Sequence, residues 1–260
     1  QVGMKIIFLG TGTSQGIPVI GCDCAVCLSD DPRDKRLRVS VLIETNGQRY
    51  VIDAGPDFRQ QMLRAGVDEL DAVLLTHEHN DHIIGLDDVR PFIFRSMRPM
   101  PVYCSERVAN ELRTRFAYAF AENPYPGAPS FNLHITEGLQ HFQIGNTAIE
   151  IIHYLHGMLP VQGYRLGSFA YLTDIKTLPS ASLNQLQDLD VLVISALHQE
   201  QHHSHASLDE ALAMVAAIKP KQAFLTHFSH SMGKHAEVLN LLPKNVDIAY
   251  DGLELSLSDQ

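Results

Sequence analysis

The sequence predicts an α/β (α+β) protein, a four-layer αββα sandwich of two sheets packed together with helices outside, as one domain over residues 1–260. Three observations predict it. Short apolar runs of strand type recur in both halves, and amphipathic runs of helix type alternate with them. No linker rich in Gly, Ser or charge separates the halves. A content of 45% hydrophobic and 19% charged residues is ordinary for a chain with a full core.

The elements follow in order. Strands are expected at MKIIFLG (4–10), VSVLIET (39–45), RYVIDAG (49–55) and DAVLLT (71–76). Between the last two, DFRQQMLRAG reads as an amphipathic helix stopped by Gly66. A helix should run from Ile83 towards Arg90, followed by a strand at PVYCS (101–105) and a helix from Glu106 to Ala121. The segment ENPYPGAPSF (122–131) reads as a semi-rigid loop, and its composition suits a lid over a site. Further strands are expected at TAIEIIHYL (147–155), GYRLG with SFAYLTD (163–174), DVLVISAL (190–197), QAFLTH (222–227) and VDIAYDGLELSL (246–257). Helices are expected near 180–188, 207–218 and 234–242.

Composition excludes some functions. With 20 basic against 30 acidic residues the formal charge is −10, which argues against the basic face needed for extended nucleic acid. A small anion is still allowed, because bound dications invert the local field of an acidic protein. No apolar run reaches the roughly 18 residues of a membrane span. The opening QVGMKIIFLG has no signal-peptide pattern, so a cytoplasmic location is expected.

The chemistry concentrates in LLTHEHNDHIIGLDD (74–88). His77, His79, Asp81 and His82 fall on the turn that leaves an apolar strand, where side chains can converge on one point. One such histidine would be an ordinary loop residue; four ligand-type residues at spacings of two, two and one are not explained that way. Imidazole and carboxylate donors suit zinc, and manganese or iron as well. A second cluster, Cys22, Cys24 and Cys27, points to metal more than to a disulfide if the protein is cytosolic, the bland alternative being reduced thiols in a loop.

H-x-H-x-D-H after a strand resembles the signature of the metallo-β-lactamase fold superfamily, and its other motifs occur in order. Asp53 in VIDAG, His156 in LHGMLPVQGYRL, Asp174 in YLTD and His227 in FLTHFSH match them, across nearly the whole chain. The resemblance implies a sandwich of the metallo-β-lactamase type holding two catalytic divalent ions. His77, His79 and His156 would bind one, Asp81, His82 and His227 the other, and Asp174 would bridge them with a hydroxide. Asp53 would support the metal loop, with Glu78 and Asn80 either pointing away from the ions or supporting their ligands from behind.

The branch is narrowed by three features. The bridging position is Asp174, where classical lactamases commonly have cysteine. LGTGTSQGIPVIGCDCAVC (9–27) resembles the phosphodiesterase branch and especially the PhnP family of phosphoribosyl cyclic phosphodiesterases. That resemblance implies one structural zinc on Cys22, Cys24, Cys27 and His230, and His205 beside the leaving group as a catalytic residue alongside Asp81. The tRNA 3′-processing enzymes are more distant relatives. Their arm has no room in the 17 residues between His156 and Asp174.

The expected activity is therefore hydrolysis of a small phosphodiester, cyclic esters included, through a metal-bridging hydroxide. An RNA-end nuclease and a thioester or lactone hydrolase are the alternatives. The resemblance also makes a homodimer an expectation.

Overall fold

Two seven-stranded sheets hold the strands of the chain, which is described over residues 3–258 by a computed structural model. Each sheet belongs to its own compact unit: one unit joins Ser40–Leu139 to the two terminal strands, and the other joins Gly10–Val39 to Gln140–Leu253.

The first unit holds β1 (Met4–Gly10), β2 (Ser40–Thr45), β3 (Gln48–Ile52), β4 (Ala72–Leu74), β5 (Met100–Cys104) and β6 (Phe131–Ile135). The C-terminal strand Glu254–Leu257 pairs antiparallel with β1, and the sheet order runs from it through β1 to β6 in sequence. Strands β3 to β6 are mutually parallel, so their carboxyl ends share one edge. Helices α1 (Phe58–Ala65), α2 (Asn80–Ile83), α3 (Arg90–Ser96) and α4 (Glu106–Arg115) follow the strands. Val51, Val73, Val102, Phe58, Met62 and Leu112 meet in one apolar core. Gly66 caps α1 in the left-handed region, φ 65°, as the sequence reading expected.

The second unit holds β7 (His141–Ile144), β8 (Thr147–His156), β9 (Leu159–Leu166), β10 (Phe169–Leu172), β11 (Val191–Ser195), β12 (Gln222–Thr226) and β13 (Val246–Ile248). Its order is β13-β12-β11-β10-β9-β8-β7, antiparallel from β7 to β10 and parallel from β10 to β13. Helices α5 (Ser180–Asn184), α6 (Leu208–Ile218) and α7 (His235–Leu239) accompany it. Helix α6 begins with a capping box in which Ser207 and Glu210 satisfy each other's backbone N–H groups.

The structure departs from the sequence expectations in places. Residues 246–257 are two strands in different sheets, because the chain turns at Tyr250–Leu253 with Gly252 at φ 92°. The helix expected from Ile83 is a short α2 followed by a 3₁₀ turn, Ile84–Val89. Helix α4 stops at Arg115, well before Ala121. Strands β6 and β7 were not anticipated. Among the described residues no helix is long and apolar enough to cross a membrane.

Candidate metal centre

In the first unit the donors gather where β3 and β4 end. Strand β3 stops at Ile52 because Asp53 takes φ 64°, a left-handed conformation that costs a non-glycine residue about 1–3 kcal/mol and is commonest for Asp and Asn. This turn brings the fully buried Asp53 carboxylate back under the histidine turn. It accepts the Thr76 N–H at 2.8 Å, the Thr76 hydroxyl at 2.7 Å and the His82 Nδ1–H at 2.6 Å. Burial raises its pKa, while His82 and Thr76 pull the other way.

These bonds fix two tautomers. The Thr76 hydroxyl gives its proton to Asp53, so at 3.0 Å it accepts the His77 Nδ1–H. His77 Nε2 then faces His79 Nδ1 at 3.0 Å, close to the ~3.3 Å between two imidazole nitrogens on one tetrahedral ion. His82, its Nδ1 spent on Asp53, turns Nε2 towards Asp81 Oδ2 at 3.2 Å. A carboxylate behind an imidazole in this way orients the ring and raises its basicity as a ligand. The residues between the donors point elsewhere, as expected: Glu78 accepts from Arg107 Nε at 2.9 Å, and Asn80 accepts from Arg115.

In the second unit Asp174 and His227 follow the ends of β10 and β12, with φ of 57° and 65°. Thr173 donates its hydroxyl to Asp174 Oδ2 at 2.7 Å, and His227 Nε2 lies 3.2 Å from the same oxygen. Asp174 Oδ1 is 4.0 Å from His156 Nε2 and 3.8 Å from His205 Nδ1. His156 closes β8 as a buried residue, whereas His153 on the same strand is exposed. The donor atoms of His156, Asp174 and His205 all lie within 4.8 Å of one another. His205 Nδ1 is buried and makes no hydrogen bond, which is the condition of a nitrogen waiting for a ligand or an ion. Burial, with the neighbouring His227, pushes the His205 imidazole down to about 3, so it stands neutral; Asp174 opposes this.

The three cysteines gather around one histidine nitrogen. Sγ of Cys22, Cys24 and Cys27 lie 3.3, 3.5 and 3.4 Å from His230 Nδ1. A tetrahedral zinc with sulfur and nitrogen ligands would space them about 3.6 Å apart. The Cys24 thiol is drawn down to about 6, chiefly by the N–H of Cys27, which favours the thiolate that a metal needs. Cys24→Ser is expected to remove one zinc equivalent per chain and lower Tm by roughly 10 °C, a loss of about 4 kcal/mol if the site is filled 1,000-fold above Kd. Metal analysis with thermal denaturation checks it, and lost activity at unchanged Tm would contradict a structural role.

Arg36 has no signal in the sequence. Only 2% exposed, it donates to Thr11 Oγ1 at 2.8 Å and to Ala249 O at 2.6 Å, and its guanidinium lies 4.8 Å from the centre of the Phe228 ring. Phe228 N–H in turn donates to Thr11 O at 3.1 Å, so the segment bearing His227 and His230 is pinned from below.

A model of the β-lactamase superfamily domain matches residues 48–228. A crystal structure of a diphosphatase from the PhnP family is similar at TM-score 0.92 and 38% identity, over 98% of this chain and 97% of that one. The short form of human tRNase Z is similar in fold, at TM-score 0.73 and 17% identity over 98% of this chain and 100% of that one. An octanoyltransferase of Porphyromonas gingivalis (strain ATCC BAA-308 / W83) is 42% identical over 259 residues, 99% of this chain. The chain spans about half of that relative, 52% of its length. The sandwich class and the PhnP-like kinship read from the motifs are thus borne out.

Proposed function

The chain belongs to the β-lactamase superfamily, and from that premise we propose that it is a dinuclear metal-dependent hydrolase of a small phosphodiester, cyclic esters included, or of the related anhydride linkage of a diphosphate. One observation carries the reading: all the donors implied by the motifs are present in a chain that is 38% identical, over nearly its whole length, to a diphosphatase of the PhnP family.

The donors fit divalent ions. His77, His79 and His156 would hold one, and Asp81, His82 and His227 the other, with Asp174 shared between them. Zinc or manganese suits them, and so does iron. Ions bound there supply Lewis-acid charge and lower the pKa of water. The protein's own part is orientation. Asp53 fixes His82, Thr76 fixes His77, and the Ser204 carbonyl accepts the His156 Nδ1–H at 2.7 Å. His205, neutral in its buried position, offers a departing oxygen a hydrogen-bond donor in place of the resident positive charge that a protonated imidazole would bring.

The octanoyltransferase supports a second reading, an acyl ester or thioester as substrate, although only half of that protein corresponds to this chain. Parallel assays with bis-p-nitrophenyl phosphate, a nucleoside diphosphate ester, a glutathione thioester and a lactone separate the two. Turnover of the phosphorus substrates alone is expected, with three metal equivalents per chain. Turnover confined to the thioester or lactone would overturn the proposal.

A further inference from the structure

The loop after β11 contains four histidines, of which the reading above uses only His205. His202 Nδ1 lies 3.2 Å from the backbone N of Ser204 and 3.3 Å from that of His205, with the Ser204 hydroxyl also at 3.3 Å. A ring nitrogen facing two N–H donors must be the unprotonated one, so the His202 hydrogen sits on Nε2. The imidazole thereby closes the turn as an Asp or Asn side chain closes an Asx turn.

Two donors of the candidate centre depend on that turn. The Ser204 carbonyl accepts both the His156 Nδ1–H and, at 3.1 Å, the Gly157 N–H. This holds His156 in the tautomer that presents Nε2 to a metal. Gly157 permits the close approach: it sits at φ +58°, and a Cβ there would meet the Ser204 Cβ at 3.2 Å. The next residue is His205, whose ring centroid lies 4.3 Å from that of His156 and 5.1 Å from that of His227.

We propose that His202 is a positioning residue: by accepting the N–H groups of Ser204 and His205 it sets the carbonyl that orients His156 and the peptide that carries His205. It touches neither substrate nor reacting atoms. The loop's ends are anchored without it, by Leu197 N to Ala206 O at 3.0 Å and Ala206 N to Ile175 O at 2.8 Å. Loss of His202 should therefore loosen the turn and leave the unit folded.

The proposal deepens the hydrolase reading and rests on it for its kinetic arm alone. In His202→Asn, Oδ1 falls where Nδ1 was, one bond beyond Cγ, so the acceptor survives. In His202→Gln the acceptor moves one bond further out, and in His202→Ala it is lost. With the metal-loaded full-length protein and bis-p-nitrophenyl phosphate, Ala and Gln should lower kcat/KM roughly 10–100-fold, the usual effect of removing a partner that orients a ligand, and Asn should stay within about threefold of wild type. Zinc affinity, measured by chelator competition, should follow the same order. Long-range ¹H–¹⁵N spectra should show His202 protonated at Nε2 only. Asn as poor as Ala, Ala as good as wild type, or a proton on His202 Nδ1 would each overturn it. Should the wild type hydrolyse none of the substrates tested, the hydrolase reading fails alone, since zinc affinity and the tautomer still decide the role of His202.

Discussion

Asp174→Ala should lower kcat/KM by roughly 10⁴-fold or more, the scale seen when one member of a cooperating catalytic set is removed, while the chain stays folded. His227, His156 and His205 all turn a nitrogen towards the Asp174 carboxylate, at 3.2, 4.0 and 3.8 Å. It is 2% exposed, and it accepts a neutral hydrogen bond from the adjacent Thr173 side chain. Without it three imidazoles lose a negative group that they share, and the proposed pair of ions loses its shared ligand. Stability should change little, because the buried carboxylate needs its neighbours more than β10 needs it. Alanine at φ 57° costs about 1–2 kcal/mol, which Asp174→Asn avoids. Melted without metal, the Asn variant should therefore stay within a few degrees of metal-free wild type, and in the presence of metal it should still be inactive, with fewer than three equivalents bound. Near-native turnover in Asp174→Asn would remove the carboxylate from the mechanism.

Much of the first half-site was legible because its donors lie within one turn. His77, His79, Asp81 and His82 are neighbours in sequence, so their spacing alone announces convergence. The strands with long apolar runs, such as β8 and β11, were also plain. Other features hide for physical reasons. Strand β7 has only four residues, and an Asp-Gly turn signal inside VDIAYDGLELSL was outweighed by the β-forming residues on either side. Arg36 and His202 carry no motif, because their partners are backbone groups or side chains that only folding brings near. The left-handed turns at Asp53, Asp174 and His227 were equally silent. A strand that must end by aiming a carboxylate or imidazole sideways looks, in sequence, like one that simply stops.

Gly85→Ala is expected to be the most destabilising single methyl in the first unit, at about 3 kcal/mol or more, the upper end of overpacking costs. A Cβ at Gly85 would stand 1.9 Å from the Gly55 carbonyl oxygen and 2.8 Å from the Phe58 Cβ. Neither can swing away. Phe58 is fully buried at the start of α1, and Gly55 belongs to a backbone clasp in which Gly85 N–H donates to Ala54 O at 2.9 Å and Ala54 N–H donates to His82 O at 2.8 Å. Opening the clasp by the ångström or more that the methyl needs separates the segment of Asp53 from the segment of His82, whose side chains meet at 2.6 Å. The variant should therefore lose roughly 6–12 °C in Tm at this chain length and hold its metals more weakly, the second effect arising through the freed His82 ring. Gly66→Ala is the matched control: φ is +65° but nothing lies within 4 Å of its Cβ, so only the backbone strain of about 1–2 kcal/mol applies. Thermal melts and zinc titrations of the two variants separate the causes. If Gly85→Ala melted no lower than Gly66→Ala and bound zinc as wild type does, the clasp would be soft, and the orientation of His82 would have to come from the Asp53 hydrogen bond alone.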